Sequence, residues 1–176
     1  LMEITQKTMA FVHLHAHSFY SLLDALSSPY ALINKIKEHG MPGIALTDSG
    51  VMYGSVDFYQ AANGYKLKPI IGAELFLSPR SRFDRDANAP KPQQIVLIAY
   101  NNIGYQNLMV LVTKGQLEGM HEKPMIDWEI LTEFHDGLLA LSGDYTGELG
   151  HTLLTKGLAA GVAVAQKYQA LFGPDN

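Results

Sequence analysis

An α/β fold is expected from three features of the chain: short apolar runs, intervening segments with apolar residues at helical spacing, and capping or turn residues where the two patterns meet. Parallel neighbours need crossover connections, so this alternation predicts mostly parallel strands with helices outside them, as an open sheet or part of a barrel. Five strand-like runs are too few to close a barrel comfortably.

Leu1 to Ala10 is polar and patternless; it is expected to be unstructured or added, with Leu1-Met2 resembling a junction ahead of native sequence. Phe11-Val12-His13-Leu14-His15-Ala16-His17 then reads as a strand. Alternate side chains of a strand share a face, which puts His13, His15 and His17 on one side. Neutral imidazole is the commonest protein ligand for zinc and related ions, and strand ligands are held at fixed spacing. The plain alternative is a strand with histidines facing water. Three of the chain's seven histidines in so short a run favour a site, and their alternation with apolar residues is unlike a purification tag.

Ser28 followed by Pro29 gives an N-cap and a first helical position, and Leu32, Ile33 and Ile36 form a stripe ending at His39-Gly40. Gly43 to Thr47 is a continuous apolar run, as for a strand buried on both faces, with Asp48-Ser49-Gly50 at its end. Val56, Tyr59 and Ala62 share one helical face, and Asn63-Gly64 closes that helix. Lys68 to Leu77 reads as a strand carrying one acidic residue, Glu74. Residues 78–93 form a loop, Ile95 to Ala99 a strand, and Tyr105, Leu108, Met109 and Val112 a helix. Trp128, Leu131 and Phe134 suit a shorter helix, Gly137 to Gly143 a last strand, and Thr146 to Phe172 a helical tail broken near Gly157.

With 176 residues, 47% hydrophobic and 17% charged, one domain with a substantial core is expected. The absence of cysteine excludes disulfides and thiolate zinc fingers, so any metal is held by nitrogen and oxygen. Apolar runs fall far short of the roughly 20 residues that cross a bilayer, and no signal segment opens the chain, so a cytoplasmic protein without a membrane partner is expected. A net charge of −4 argues against a strong grip on DNA by this chain alone. The basic cluster Arg80, Arg82, Arg85 and Lys91 reads as a solvated surface loop, within reach of phosphate.

Reactive groups in parallel α/β architectures collect at the C-terminal ends of strands. His15, His17, Asp24, Asp48, Glu74 and Asp144 all fall there in this reading. A buried carboxylate is costly unless it is paired, hydrogen-bonded or metal-bound, which makes Glu74 the best oxygen ligand. Asp24 can equally order its own loop, Asp144 can equally cap the following helix, and Asp48 is expected to order its turn. His39, His121, His135 and His151 sit at helix ends or in loops and are expected to be surface residues.

The motifs His13-Leu14-His15-Ala16-His17-Ser18, Ala45-Leu46-Thr47-Asp48-Ser49-Gly50, Lys68-Pro69-Ile70-Ile71-Gly72-Ala73-Glu74, Asn102-Ile103-Gly104-Tyr105-Gln106-Asn107-Leu108 and Gly137-Leu138-Leu139-Ala140-Leu141-Ser142-Gly143 resemble one family. It is the PHP (polymerase and histidinol phosphatase) domain that begins the alpha subunit of bacterial DNA polymerase III. The resemblance covers nearly everything from Phe11 onward, so residues 11–176 are expected to be the N-terminal part of such a domain, without its last barrel strands or the polymerase core.

The resemblance implies an incomplete, distorted (β/α)7 barrel with metal at its C-terminal rim. It implies partners too: the rest of the alpha subunit, a proofreading exonuclease subunit, and DNA through the full-length protein. His15, His17, Asp24 and Glu74 match ligand positions, and Asp144 is a weaker candidate where the family has cysteine or histidine. Ser49 and Gln94 stand where active members carry histidine, and the family's last Asp and His ligands lie beyond Asn176. His13 and Asp48 are expected to support the ligands rather than bind the metal.

The function expected is therefore a structural and docking module of a replicative DNA polymerase with a reduced site, binding Zn or Mn weakly or no metal at all. Nucleotidyl transfer would belong to the missing polymerase core. The alternative is a free-standing metal-dependent phosphoesterase, or a proofreading 3′–5′ exonuclease, of the same superfamily. An open sheet edge would make self-association of such a fragment expected.

Overall fold

The computed structural model describes residues 11–174 and 176, so the expectation for Leu1 to Ala10 lies outside the described residues. The elements run α1 (Pro29–Glu38), β1 (Gly43–Leu46), α2 (Ser55–Gly64), β2 (Lys68–Leu77), β3 (Gln93–Ala99), α3 (Asn102–Leu117), β4 (Met125–Ile126), α4 (Trp128–Glu133), β5 (Leu138–Leu141), α5 (Glu148–Lys156) and α6 (Leu158–Phe172). Local chemistry sets several of these boundaries. Ser28 caps α1 by accepting from the Ala31 N–H, Asn101 caps α3 through the Gly104 N–H, and Asp127 caps α4 through the Ile130 N–H. Gly157, at φ 82, divides α5 from α6, in a backbone region where a side chain is strained.

β2 is the spine of the sheet. One of its edges carries β1 in parallel over residues 68–71 and β4 in parallel at Phe76 and Leu77; the other pairs antiparallel with β3 over residues 72–77. β5 adds antiparallel to β3. β1, β2, β4 and β5 thus point one way and β3 opposes them, an α/β fold with a mostly co-directional, open sheet. The expected parallel order fails only around β3, which lies between two strands of opposite direction.

Alternation along β2 separates two faces. Ala73, Leu75 and Leu77, with Ile95 and Leu97 of β3, pack against Leu108 and Leu111 of α3, Ile130 and Leu131 of α4, and Phe172 of α6. On the same face Ile71, Ile44 and Leu46 meet Ile33 and Ile36 of α1 and Phe58, Ala61 and Ala62 of α2. The opposite face has a smaller apolar floor of Ala45, Val96 and Ile98, flanked by Ile70, Leu139 and Leu141. Glu74 lies on that second face, because it alternates with Ala73 and Leu75.

Three further sequence expectations need correction. Residues 11–17 are not a strand: they bend after a single bridge, His13 to Ile44, and continue beside β1 without a regular ladder. A side chain diverts the ladder, because the Ala16 N–H donates to Thr47 Oγ1 at 3.0 Å while the Thr47 N–H donates to the Ala16 carbonyl at 2.8 Å. In α2 the helix is as expected but its buried face is not. Phe58, Ala61 and Ala62 face the core, whereas Val56 and Tyr59 are exposed.

Arg82 is the third correction. It is not solvated: its guanidinium is buried against Asp127 at 3.0 Å and donates through Nε to Glu118 at 2.6 Å, tying the loop after β2 to the start of α4 and the end of α3. Burial alone would weaken the cation, but Glu118 and Asp127 hold its pKa above the ordinary arginine value. Among the described residues no helix is long and apolar enough to cross a membrane.

Removing one member of a buried ion pair strands the other without compensation, so Arg82→Ala should lower unfolding free energy by about 3 kcal/mol, read from urea denaturation. An unchanged midpoint would contradict the structural role given to this pair.

Candidate metal centre

His15, His17 and Glu74 converge on the sheet face opposite the helices. Glu74 is 3% exposed, and its backbone is pinned on both sides. The Glu74 N–H donates to the Asp48 carbonyl, the Gly50 N–H donates to the Glu74 carbonyl at 2.7 Å, and across the other edge Glu74 pairs with Val96. The carboxylate therefore has a fixed origin. Gly72 permits this packing, because a Cβ there would lie 2.6 Å from the Leu97 carbonyl oxygen.

The histidines arrive by another route. The segment carrying them lies along β1 through Ala16 and Thr47, and the next residues are locked by Asp48. The buried Asp48 carboxylate accepts from the Ser18 N–H at 2.6 Å, the Ser18 hydroxyl at 2.7 Å and the Ser21 hydroxyl at 2.7 Å. A buried charge receiving three donors is compensated without a metal, and it fixes the chain immediately after His17. The turn-ordering role expected of Asp48 matches this geometry. Ser18, Ser21 and Thr47 carried no periodic signal in the sequence; only their closeness to the histidine motif and to Asp48 hinted at a part.

His15 Nε2 lies 3.1 Å from Glu74 Oε2 and 3.0 Å from His17 Nε2, and His17 Nε2 lies 3.7 Å from the same carboxylate oxygen. Contacts this short among three potential acceptors are satisfied either by an imidazole N–H lying between them or by a metal ion. A tetrahedral zinc with bonds of about 2.0–2.1 Å has ligand-to-ligand edges of about 3.3 Å. The three observed edges bracket that length, so the residues fit a small divalent ion with two nitrogens and one oxygen.

Burial would raise the Glu74 carboxyl, but hydrogen bonds from His15 and Ser49 and the nearby positive charge of His17 and His15 hold it below its ordinary value of 4.5. The other carboxylate oxygen, Oε1, accepts from the Ser49 hydroxyl at 2.9 Å and from Gln94 Nε2 at 3.5 Å. Ser49 and Gln94, the two positions where the resemblance places histidine in active members, thus stand beside the same acid.

The remaining candidates lie apart from this trio. Asp144 stands with His15 on the wall of an open cleft of about 510 Å³ that Val96, Leu141, Ser142 and Gly143 also line. Its carboxylate accepts from the Thr146 N–H at 2.7 Å, which, with the Thr146 hydroxyl, holds its pKa below the ordinary carboxylate value. Asp24 is exposed in the turn that follows Ser21, where its N–H donates to the Ser21 carbonyl at 3.0 Å. His13 is exposed and lies edge-on to Phe11. Among the described residues only His15, His17 and Glu74 form a metal-compatible cluster.

The PHP domain family model matches residues 13–176. The DNA polymerase III subunit alpha of Treponema pallidum is 43% identical over 170 residues, covering 96% of this chain and 14% of the relative. The same subunit of Chlamydia pneumoniae is 37% identical over 95% of this chain, and that of Thermus aquaticus is 38% identical over 94%, each covering 14% of the relative. This chain thus spans about a seventh of the length of these relatives.

A carboxyl whose folded pKa is depressed contributes stability at pH above its unfolded value and loses that contribution as pH falls through the folded one. Urea midpoints of the metal-free protein should therefore fall as pH drops below the ordinary glutamate value of 4.5, and Glu74→Gln should flatten part of that fall. An identical pH profile in the variant would show that the buried acid gains nothing from its partners.

Proposed function

Because the chain belongs to the PHP domain family, we propose that it is the N-terminal PHP domain of a bacterial DNA polymerase III alpha subunit, acting as a structural and docking module with a reduced metal site. The observation that carries this reading is the neutral pair Ser49 and Gln94 around Glu74 Oε1, where the resemblance calls for two imidazoles. Identity to alpha subunits across almost the whole chain supports the parent assignment. In this reading nucleotidyl transfer belongs to the rest of the polymerase, and a proofreading exonuclease subunit and DNA are partners of the assembled enzyme in the cytoplasm.

The open sheet is read as part of the wall of a distorted (β/α)7 barrel. Four co-directional strands, helices on one face and a polar cluster on the other support that assignment.

His15, His17 and Glu74 would hold a zinc- or manganese-type ion, with Asp48 fixing the backbone behind the histidines. When bound, such an ion lowers the pKa of water and stabilises charge on a phosphoryl oxygen. The chain's own residues do less: Glu74 and the two imidazoles bind, Ser49 and Gln94 donate to Glu74, and Asp144 is engaged by Thr146. No side chain among these is placed as a free general base.

The protein supplied with Zn²⁺ or Mn²⁺ is expected to release no nucleotide from 3′-labelled single-stranded DNA and no phosphate from p-nitrophenyl phosphate. Turnover abolished by Glu74→Gln would overturn this reading in favour of a phosphoesterase or exonuclease.

A further inference from the structure

The two oxygens of Glu74 are used differently. Oε2 faces His15 and His17, whereas Oε1 is enclosed by Ser49 and Gln94. We infer that the centre takes a single divalent cation through His15, His17 and Glu74 Oε2, and that Ser49 and Gln94 are positioning residues whose hydrogen bonds to Oε1 keep the carboxylate from bridging to a second ion. This rests on the metal-binding reading of the preceding subsection.

The orientation of both donors is set by their surroundings. Ser49 is held by its N–H, which donates to the Ser21 hydroxyl at 3.0 Å, and by a parallel bridge to Glu74. Its hydroxyl can then give its one proton to Oε1. Gln94 has an amide whose two ends are interchangeable in shape but not in chemistry. A carboxylate only accepts, so the amide nitrogen must face Glu74 and the amide oxygen must face the Thr146 hydroxyl, with which it is in contact. The single Thr146 hydroxyl proton is shared between two acceptors, the Gln94 amide oxygen and the Asp144 carboxylate at 2.7 Å, and the Thr146 N–H also serves Asp144 at 2.7 Å.

Charge leads to the same stoichiometry. Two neutral imidazoles and one carboxylate carry one negative charge, so a single divalent ion leaves the centre with one positive charge. A second ion would leave three positive charges beside a buried apolar floor of Val96 and Ile98, with no further carboxylate among the described residues of the cluster to offset them. Replacing imidazole at positions 49 and 94 by neutral hydrogen-bond donors exchanges possible ligands for groups that cap the bridging oxygen.

The test is zinc titration of the chelator-treated protein by calorimetry, with bound metal counted by elemental analysis and folding followed by circular dichroism. One equivalent of Zn²⁺ is expected for the unaltered protein. Ser49→Ala and Gln94→Met should each raise Kd by about tenfold, as for loss of a group that orients a ligand. Ser49→Thr, which keeps the hydroxyl, should stay near the starting affinity, a rescue that a mere packing role would not produce. A second equivalent that disappears in Glu74→Gln would overturn the single-ion assignment and leave the metal-binding reading standing. Unchanged Kd in both Ser49→Ala and Gln94→Met would overturn the positioning roles. Failure of the unaltered protein to take up zinc would remove the metal-binding reading itself, and this inference with it.

Discussion

The constraint on which the site depends is the burial of one negative charge in the middle of a β-sheet. Glu74 sits in β2 with strand neighbours on both sides and almost no access to water. An uncompensated carboxylate there would cost several kcal/mol, far more than a single surface contact returns. Every polar feature nearby answers that cost: two imidazoles at one oxygen, a hydroxyl and an amide at the other. The backbone supports the same arrangement, since residues 48–50 run beside β2 and place Ser49 directly across from Glu74.

Asp48 is the second buried acid, and comparing the two separates structure from chemistry. Asp48 is surrounded by serine hydroxyls and a backbone N–H, donors that satisfy it outright. Glu74 is faced by imidazoles, which bind metals when neutral. The first acid makes the loop after His17 rigid, and the second uses that rigidity. A site assembled from two chain segments more than fifty residues apart therefore loses little ordering entropy when a cation binds.

Much of this was legible in the sequence because the signals were local. Ser28-Pro29 marks the start of α1, Gly157 marks the break between α5 and α6, and a lone acid in an apolar run marks Glu74. Errors arose where partners are distant. Nothing near Arg82 in sequence announces Asp127 and Glu118, so a buried ion pair read as a solvated loop. The antiparallel course of β3 was hidden because the connection of residues 78–92 is long enough for either a return or a crossover, and no periodicity reveals its path. Residues 11–17 alternate like a strand, yet a threonine side chain takes the N–H that a ladder would need. The even spacing of Val56, Tyr59 and Ala62 suggests one face for α2, while the set that packs is Phe58, Ala61 and Ala62.

X-ray absorption at the zinc edge of the singly loaded protein tests the geometry most directly. A first shell at about 2.0–2.1 Å, with multiple scattering from two imidazole rings and one carboxylate oxygen, is the predicted result. A shell of light atoms without two-ring imidazole scattering would mean that His15, His17 and Glu74 do not meet at one ion.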